Sequence, residues 1–314
     1  RALEEQQNFV PQVLKERVEK LKNTMPAVVD LRSPALQERH WEQIIELLKQ
    51  KIDISDPSFT LQTLINMKVN DYKDEIADIA LKAKKEMELE KQLNEIINSW
   101  ENVEFQLKHD KDKDIYTLTA LDHIITLLDD TQVANTSIMT IRFIAPLYDQ
   151  VEPWQKKFAL FSNTLDEWMN VQKQWLYLEN IFSSPDIIKQ LPSEQKKFAN
   201  INEEFQKLMR DVHERPIALQ AATKPGLYKQ LKDYNSKLEL IQKALENYLD
   251  KKRKQFPRFF FLSNDELLEI LAQAREPRAV QPHLRKIFES IYRLDFGPSE
   301  EIFEITDKSN TESG

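Results

Sequence analysis

Only three glycines, Gly226, Gly297 and Gly314, occur in the 314 residues. A loop that cradles phosphate needs glycines clustered where the backbone approaches its ligand or takes positive φ, so the chain holds neither a P-loop nor a dinucleotide fingerprint. Scarce glycine beside abundant Leu, Lys, Glu and Gln favours long helices, because straight-chain residues lose little rotamer freedom there. No run of 18 apolar residues occurs, which excludes a helical membrane span. The net charge of −8 argues against nucleic acid as a partner, since a broad footprint requires clustered excess Lys and Arg. With no cysteine there is no disulfide, thiolate zinc site or Cys nucleophile, which fits a reducing, cytoplasmic compartment. The chain opens inside an amphipathic pattern without an initiator Met and closes on a polar tail, and is expected to be a piece of something larger.

Start signals and three-and-four spacing mark the helices. A first helix is expected over 2–24, stopping before Pro26 because the residue ahead of a proline is pushed out of the α region. Ser33-Pro34 reads as an N-cap and first helical position, opening a helix whose apolar face is Trp41, Ile44, Ile45 and Leu48. After Asp56-Pro57 a short helix near 60–66 leads to a long one over about 70–100, with Ile76, Ile79, Ala83, Met87, Leu93, Ile96, Ile97 and Trp100 inward. Val103, Phe105 and Leu107 then alternate with polar residues, and the charged run 108–114 is followed by Ile115–Thr119. That pattern predicts a β-hairpin over 103–119. Helix returns at 120–130 and from about 136 to 149, ending ahead of Pro153.

The stretch 151–182 is the most aromatic, and Phe158, Phe161, Leu165, Trp168 and Trp175 share one helical face, as a core seam would. Ser184-Pro185 and Ser193-Glu194 restart helices. After the turn pair Pro225-Gly226, the residues Leu227, Leu231, Tyr234, Leu238, Ile241, Leu245 and Tyr248 step by four and three over three heptads, so this helix must lie along another. It ends in Lys251–Lys254, where cations suit the negative end of the helix dipole. Phe259-Phe260-Phe261-Leu262 reads as a buried strand near 258–262, and Ser263 with Glu266 as a capping box. Tyr292–Ile305, broken at Gly297-Pro298, is expected to form a hairpin pairing with that strand. The fold class is mainly α: antiparallel helical bundles forming an elongated rod, with small β-hairpin elements. It divides into an N-terminal part, 1–150, and a C-terminal part, 151–314.

Catalytic constellations do not emerge. His40, His109, His123, His213 and His283 are scattered without the i, i+4 partner and intervening Glu of a zinc protease helix. Asp129-Asp130 continues into Thr-Gln-Val without further acid and reads as a polar helix C-terminus rather than a magnesium–diphosphate site. Asp265 and Glu266 read as cap residues rather than an acid–base pair. No glycine flanks a serine as a nucleophile elbow requires. No catalytic, cofactor-binding or metal residue is therefore assigned.

Several longer phrases are distinctive. Val29–Trp41 (VDLRSPALQERHW), Gln174–Phe182 (QWLYLENIF), Gln190-Leu191-Pro192, Phe256–Leu271 (FPRFFFLSNDELLEIL) and Val280–Leu284 (VQPHL) occur in order and together resemble the linker of dynein heavy chains. The wording of the phenylalanine block resembles axonemal members, so the resemblance implies cytoskeletal placement in the axoneme of a cilium or flagellum. It also implies a mechanical element, without catalysis of its own, that lies across a ring of AAA+ ATPase modules, joins it to the tail, and bends and straightens as the ring turns over ATP. ATP and magnesium would then belong to the parent ring. Partners would be the ring modules of the same heavy chain, the N-terminal tail with its cargo or microtubule attachment, and indirectly intermediate and light chains, with no nucleic acid and no membrane. A lever needs a place where packing takes two arrangements. The clustering of breakers and rings over 135–190 makes Pro146, Pro153, Trp154, Trp168, Trp175 and Pro185 the hinge candidates, and exposed members of Phe259, Phe260 and Phe261 the ring-contact candidates. A spectrin-like static scaffold and an all-helical enzyme stay open as alternatives.

Overall fold

The computed structural model describes residues 9–50, 60–141, 144–273, 276–297 and 302–307. Helix α1 (Phe9–Leu31) is followed by α2 (Glu38–Leu48), α3 (Leu61–Asn66) and, after a 3-10 turn, α4 (Lys73–Ser99). A hairpin of β1 (Gln106–Asp110) and β2 (Ile115–Thr119) leads to α5 (Asp122–Thr140) and α6 (Tyr148–Phe182). Then come α7 (Pro185–Gln190), α8 (Pro192–Glu214), α9 (Ala218–Ala222), α10 (Leu227–Gln255), α11 (Asn264–Ala272), α12 (Leu284–Ile287) and a second hairpin, β3 (Ile291–Phe296) with β4 (Ile302–Asp307). The mainly helical class with small hairpins is as the sequence predicts. Residues 2–8 of the first expected helix, the Asp56-Pro57 break, Pro298 and the polar tail lie outside the described residues.

The chain forms two compact units, one of Arg1–Glu101 with Asp129–Lys156 and one of Asn102–Leu128 with Lys157–Gly314. The division interleaves in sequence, where the expectation was a single cut between 150 and 151.

In the first unit α1 packs on α4 through Thr24, Ala27 and Leu31, and continues through Pro26 rather than stopping before it. Burial of that face outweighs the roughly 3 kcal/mol that an interior proline costs a helix. Ser33-Pro34 is not a helix start either: the chain turns there, and α2 begins at Glu38, where the Gln37 backbone N–H donates to His40 Nδ1 (3.1 Å). That bond leaves the ring proton on Nε2, which donates to Glu86 Oε2 (3.0 Å) beside two donations from Arg39. Glu86 is therefore buried on α4, and the expected core residue Met87 is 42% exposed. Around it Ala27, Leu31, Ile44, Leu48, Leu64, Val69, Ile76 and Ile79 form one aliphatic cluster, and Leu89, Leu93, Ile138, Leu147 and Val151 another. Two separate helices were expected over 120–149; one helix, α5, runs to Thr140, followed by a break and a 3-10 turn at Ala145–Leu147.

In the second unit, β1 and β2 pair antiparallel from Gln106↔Thr119 to Asp110↔Ile115. The Gln172 side chain of α6 accepts from the Leu118 N–H (2.7 Å) and donates to its carbonyl (3.0 Å), standing in for a neighbouring strand. Just before β1, the Phe105 N–H donates to the Pro216 carbonyl and the Ala218 N–H to the Val103 carbonyl, which explains why alternation starts before the hairpin proper. Gly226, at φ 84°, supplies the left-handed residue ahead of α10 that a side chain would resist. The heptad seam of α10 is buried from Leu227 to Leu245, then passes to Leu249 in place of Tyr248, because a straight helix drifts off a seven-residue repeat. Against it lie α8, where the Tyr234 hydroxyl donates to Glu204 (2.7 Å), and α6, where Asn235 donates to Glu167. Burial and the Glu204 carboxylate push the Tyr234 phenol above its ordinary range.

Candidate mechanical site

Four aromatic residues of α6 are closed in. Phe158, Phe161, Trp168 and Trp175 are no more than 1% exposed. The Trp168 ring meets Phe105 edge-on at 5.7 Å, Phe161 stacks with Phe105 at 6.3 Å, and Trp175 meets Phe205 at 5.0 Å while its Nε1–H donates to Asn202 Oδ1 (2.9 Å). These rings form the seam expected from their spacing. The six hinge candidates are not brought together at one point. Pro146 sits in the 3-10 turn before α6, and Pro153 lies inside that helix near its start. Trp154 packs half-buried against the Leu89–Val151 cluster, while Trp168 and Trp175 lie in mid-helix. Pro185 is the first residue of α7, just after α6 ends. Among the described residues helix continuity lapses at Ile141, at 144–147 and at 183–184, not at the tryptophans.

The expected strand near 258–262 is a 3-10 turn, Pro257–Phe261. Proline at its head has no N–H for a ladder and a φ preset for the turn. Bonds from Phe259 N–H to the Phe256 carbonyl and from Leu262 N–H to the Phe259 carbonyl close it. Among the described residues the C-terminal hairpin pairs only with itself, β3 with β4, rather than with this segment. Leu262 is the residue that buries; Phe259 packs against Phe256, and Phe260 and Phe261 stand 61% and 69% exposed. Arg253 Nη2 donates to the Leu262 carbonyl (3.1 Å) and Asn264 Oδ1 (2.8 Å), and Arg258 donates to the Ile287 carbonyl while covering the Phe288 ring. Part of the basic cluster thus holds the turn in place.

Behind the turn, Ser263 and Glu266 form the expected capping box, each reaching the other's backbone N–H. A hydrogen bond from Lys286, then those from Ser263, hold the Glu266 carboxyl down to about 2. Asp265 and Glu269 of α11 face Tyr177, Asn180 and Ile181 of α6 across a groove of about 350 Å³. Burial, then Asp265, raises the Tyr177 phenol. Two phrases that stood out in the sequence, Gln174–Phe182 and Phe256–Leu271, therefore meet along one groove. That pairing, and the burial of Glu86, were not foreseen; the length of the phrases was the only signal. Among the described residues no cluster of three or more His, Asp or Glu could hold a metal ion, and no helix is long and apolar enough to cross a membrane.

The family model described as dynein heavy chain, N-terminal region 2, matches residues 2–312. Human dynein axonemal heavy chain 6 is 46% identical over 290 residues, covering 92% of this chain and 7% of that protein. Mouse dynein axonemal heavy chain 2 is 40% identical over 278 residues, 88% of this chain and 6% of that protein. The dynein-1-beta heavy chain of the Chlamydomonas reinhardtii flagellar inner arm I1 complex is 37% identical over 283 residues, 90% of this chain and 6% of that protein. The chain thus spans less than a tenth of the curated relatives it matches.

Proposed function

The chain belongs to the dynein heavy chain, N-terminal region 2, family, and from that premise we propose that it is the mechanical linker of an axonemal dynein motor. In this reading it catalyses nothing itself. It carries motion between a nucleotide-driven ring and the tail of the same heavy chain, in the axoneme of a cilium or flagellum. ATP and magnesium belong to the ring.

The observation that supports the reading best is α6: 35 residues of helix with a closed aromatic face. A helix held this way resists bending, because any kink opens packed contacts on one side. Bending is then concentrated where helix continuity lapses, and the 3-10 turn Ala145–Leu147 ahead of α6, with Pro146 in it, is the hinge we favour over Trp168 and Trp175. Phe260 and Phe261, left in water by the fold, are the residues we assign to the ring surface.

Two spin labels in the parent heavy chain test this, one at Val133, which is 71% exposed, and one at Tyr148, 41% exposed. They flank the break, and the chain itself contributes no competing cysteine. The expected outcome is a label separation that changes between the nucleotide-free and ATP–vanadate states. An unchanged separation, together with gliding velocity unaffected by Phe260→Ala and Phe261→Ala, would leave a static scaffold as the better description.

A further inference from the structure

The phrase Val29–Trp41 takes no part in the hinge or the ring surface, and it carries a histidine where a helix start ordinarily has another residue. In a capping box the third helical residue reaches back to accept from the N-cap backbone N–H, and Glu or Gln fills that role with an oxygen that accepts throughout the neutral pH range. In α2 the role falls to His40, whose Nδ1 accepts from the Gln37 N–H at 3.1 Å. An imidazole nitrogen accepts only while it carries no proton. The cap of α2 therefore depends on the charge state of one side chain.

That side chain is 2% exposed, and Glu86 beside it 6%, so the chain itself buries the pair. Glu86 Oε2 accepts from His40 Nε2 (3.0 Å) and from Arg39 Nε and Nη2 (3.1 and 2.6 Å), which balances one negative charge with one positive while the imidazole is neutral. Elsewhere on α4, Glu90 takes the Gln37 side chain (3.4 Å) and Lys84 pairs with Asp30 of α1 (3.8 Å). On α2 itself and on the 3-10 turn packed against it, Glu38, Glu42 and Asp71 are exposed. A proton on Nδ1 turns the acceptor into a donor aimed at the Gln37 N–H, and the new positive charge meets Arg39 as well as Glu86. Attraction to the one and repulsion from the other offset, so nothing replaces the lost cap bond.

We propose that His40 makes the start of α2 a proton-operated latch. With the ring neutral, the Gln37 N–H is held and the turn between α1 and α2 is fixed on α4. With the ring charged, Gln37 is released together with its contact to Glu90, while Arg39 keeps α2 tethered to Glu86, and Ile44 and Leu48 stay in the aliphatic cluster. Acid therefore loosens one end of α2 without unseating the helix. The latch is separate from the hinge and ring surface proposed above, and it works whether or not the chain bends.

The intact 314-residue chain, uniformly labelled with heavy nitrogen, tests the latch by NMR between about pH 7.5 and about pH 5.5, an interval that brackets a free imidazole. The His40 ring signals are assigned through their contact with the Gln37 amide. At the upper limit they should report a neutral ring protonated on Nε2. As Nδ1 takes its proton, the hydrogen-exchange protection of the Gln37 amide should fall about fivefold, the change expected for one cap. His40→Gln keeps an acceptor at the third position and does not titrate, so its Gln37 protection should stay level across the interval. The proposal is overturned by a ring protonated on Nδ1 at the upper limit, by a ring still neutral at the lower one, or by Gln37 protection that is unchanged when His40 becomes charged. The same loss of protection in His40→Gln overturns it too, since another group would then be responsible. All but the last are read on the native chain alone, so they decide the matter even where the variant does not fold.

Discussion

Along α6, Phe158, Phe161, Trp168 and Trp175 fall at intervals of three, seven and seven residues, and all four are buried; across the Pro257–Phe261 turn three phenylalanines stand side by side, and two are more than half exposed. The composition is alike and the outcome opposite. Intervals of three and seven keep returning a side chain to the same face of a helix, so one set of neighbours, Phe105 and Phe205 among them, can cover that face. Adjacent residues in a 3-10 turn point about a third of a circle apart, so no single neighbour can cover all three. Aromatic density therefore does not locate a core; the interval between the rings does.

The comparison breaks first at Trp175. Trp175→Ala should cost about 3–5 kcal/mol in urea unfolding, through the cavity and the lost hydrogen bond to Asn202; a loss below about 1 kcal/mol would mean that the α6 face is not core. Next comes Gln172→Ala, which leaves both the N–H and the carbonyl of buried Leu118 unpaired and should cost about 2–3 kcal/mol, with faster hydrogen exchange at the Leu118 amide. Unchanged exchange there would show that α6 does not hold the hairpin through this side chain.

A smaller effect belongs to the cap behind the turn. Ser263→Ala should cost about 1 kcal/mol. Glu266 adds a pH dependence: the fold prefers its charged form, so its contribution is complete above the ordinary value of 4.5 and is lost as pH falls towards about 2. The stability difference between the native chain and Glu266→Gln should therefore shrink between those limits; a difference flat across the window would mean that Lys286 does not hold the carboxylate in solution. The smallest effect is expected at Phe260→Ala and Phe261→Ala, each within about 0.5 kcal/mol of the native chain by the same unfolding measurement. A cost above about 1.5 kcal/mol at either would place the turn in the core and erase the contrast.

What the sequence made legible was whatever repeats within one element. The seam of α10 follows from apolar intervals of four and three, the first hairpin from alternation around a charged turn, and the Ser263–Glu266 cap from two residues three apart. Its misreadings share a cause. Pro26 and Ser33-Pro34 carry strong local signals for a helix end and a helix start, but the α1 face resting on α4 outweighs the first and the Gln37–His40 bond displaces the second. The phenylalanine run has the propensity of a strand, and the fold offers it no ladder. Of the candidate site, the burial of Trp168 and Trp175 was legible, and the groove joining Tyr177 to Asp265 was not.

By itself the sequence determined the mainly helical class, the buried aromatic face of α6, the absence of a phosphate-binding glycine loop and, through its long phrases, the dynein heavy chain resemblance. Those properties depend on residue type and on spacing within one segment, and a linear reading carries both. Only the tertiary structure decided that Glu86 is buried and Met87 is not, and that Phe260 and Phe261 face water. Each depends on which distant segment arrives beside a given turn of helix: Arg39 and His40 reach Glu86 from 47 and 46 residues away, and the desolvated carboxylate is tolerable only because they do.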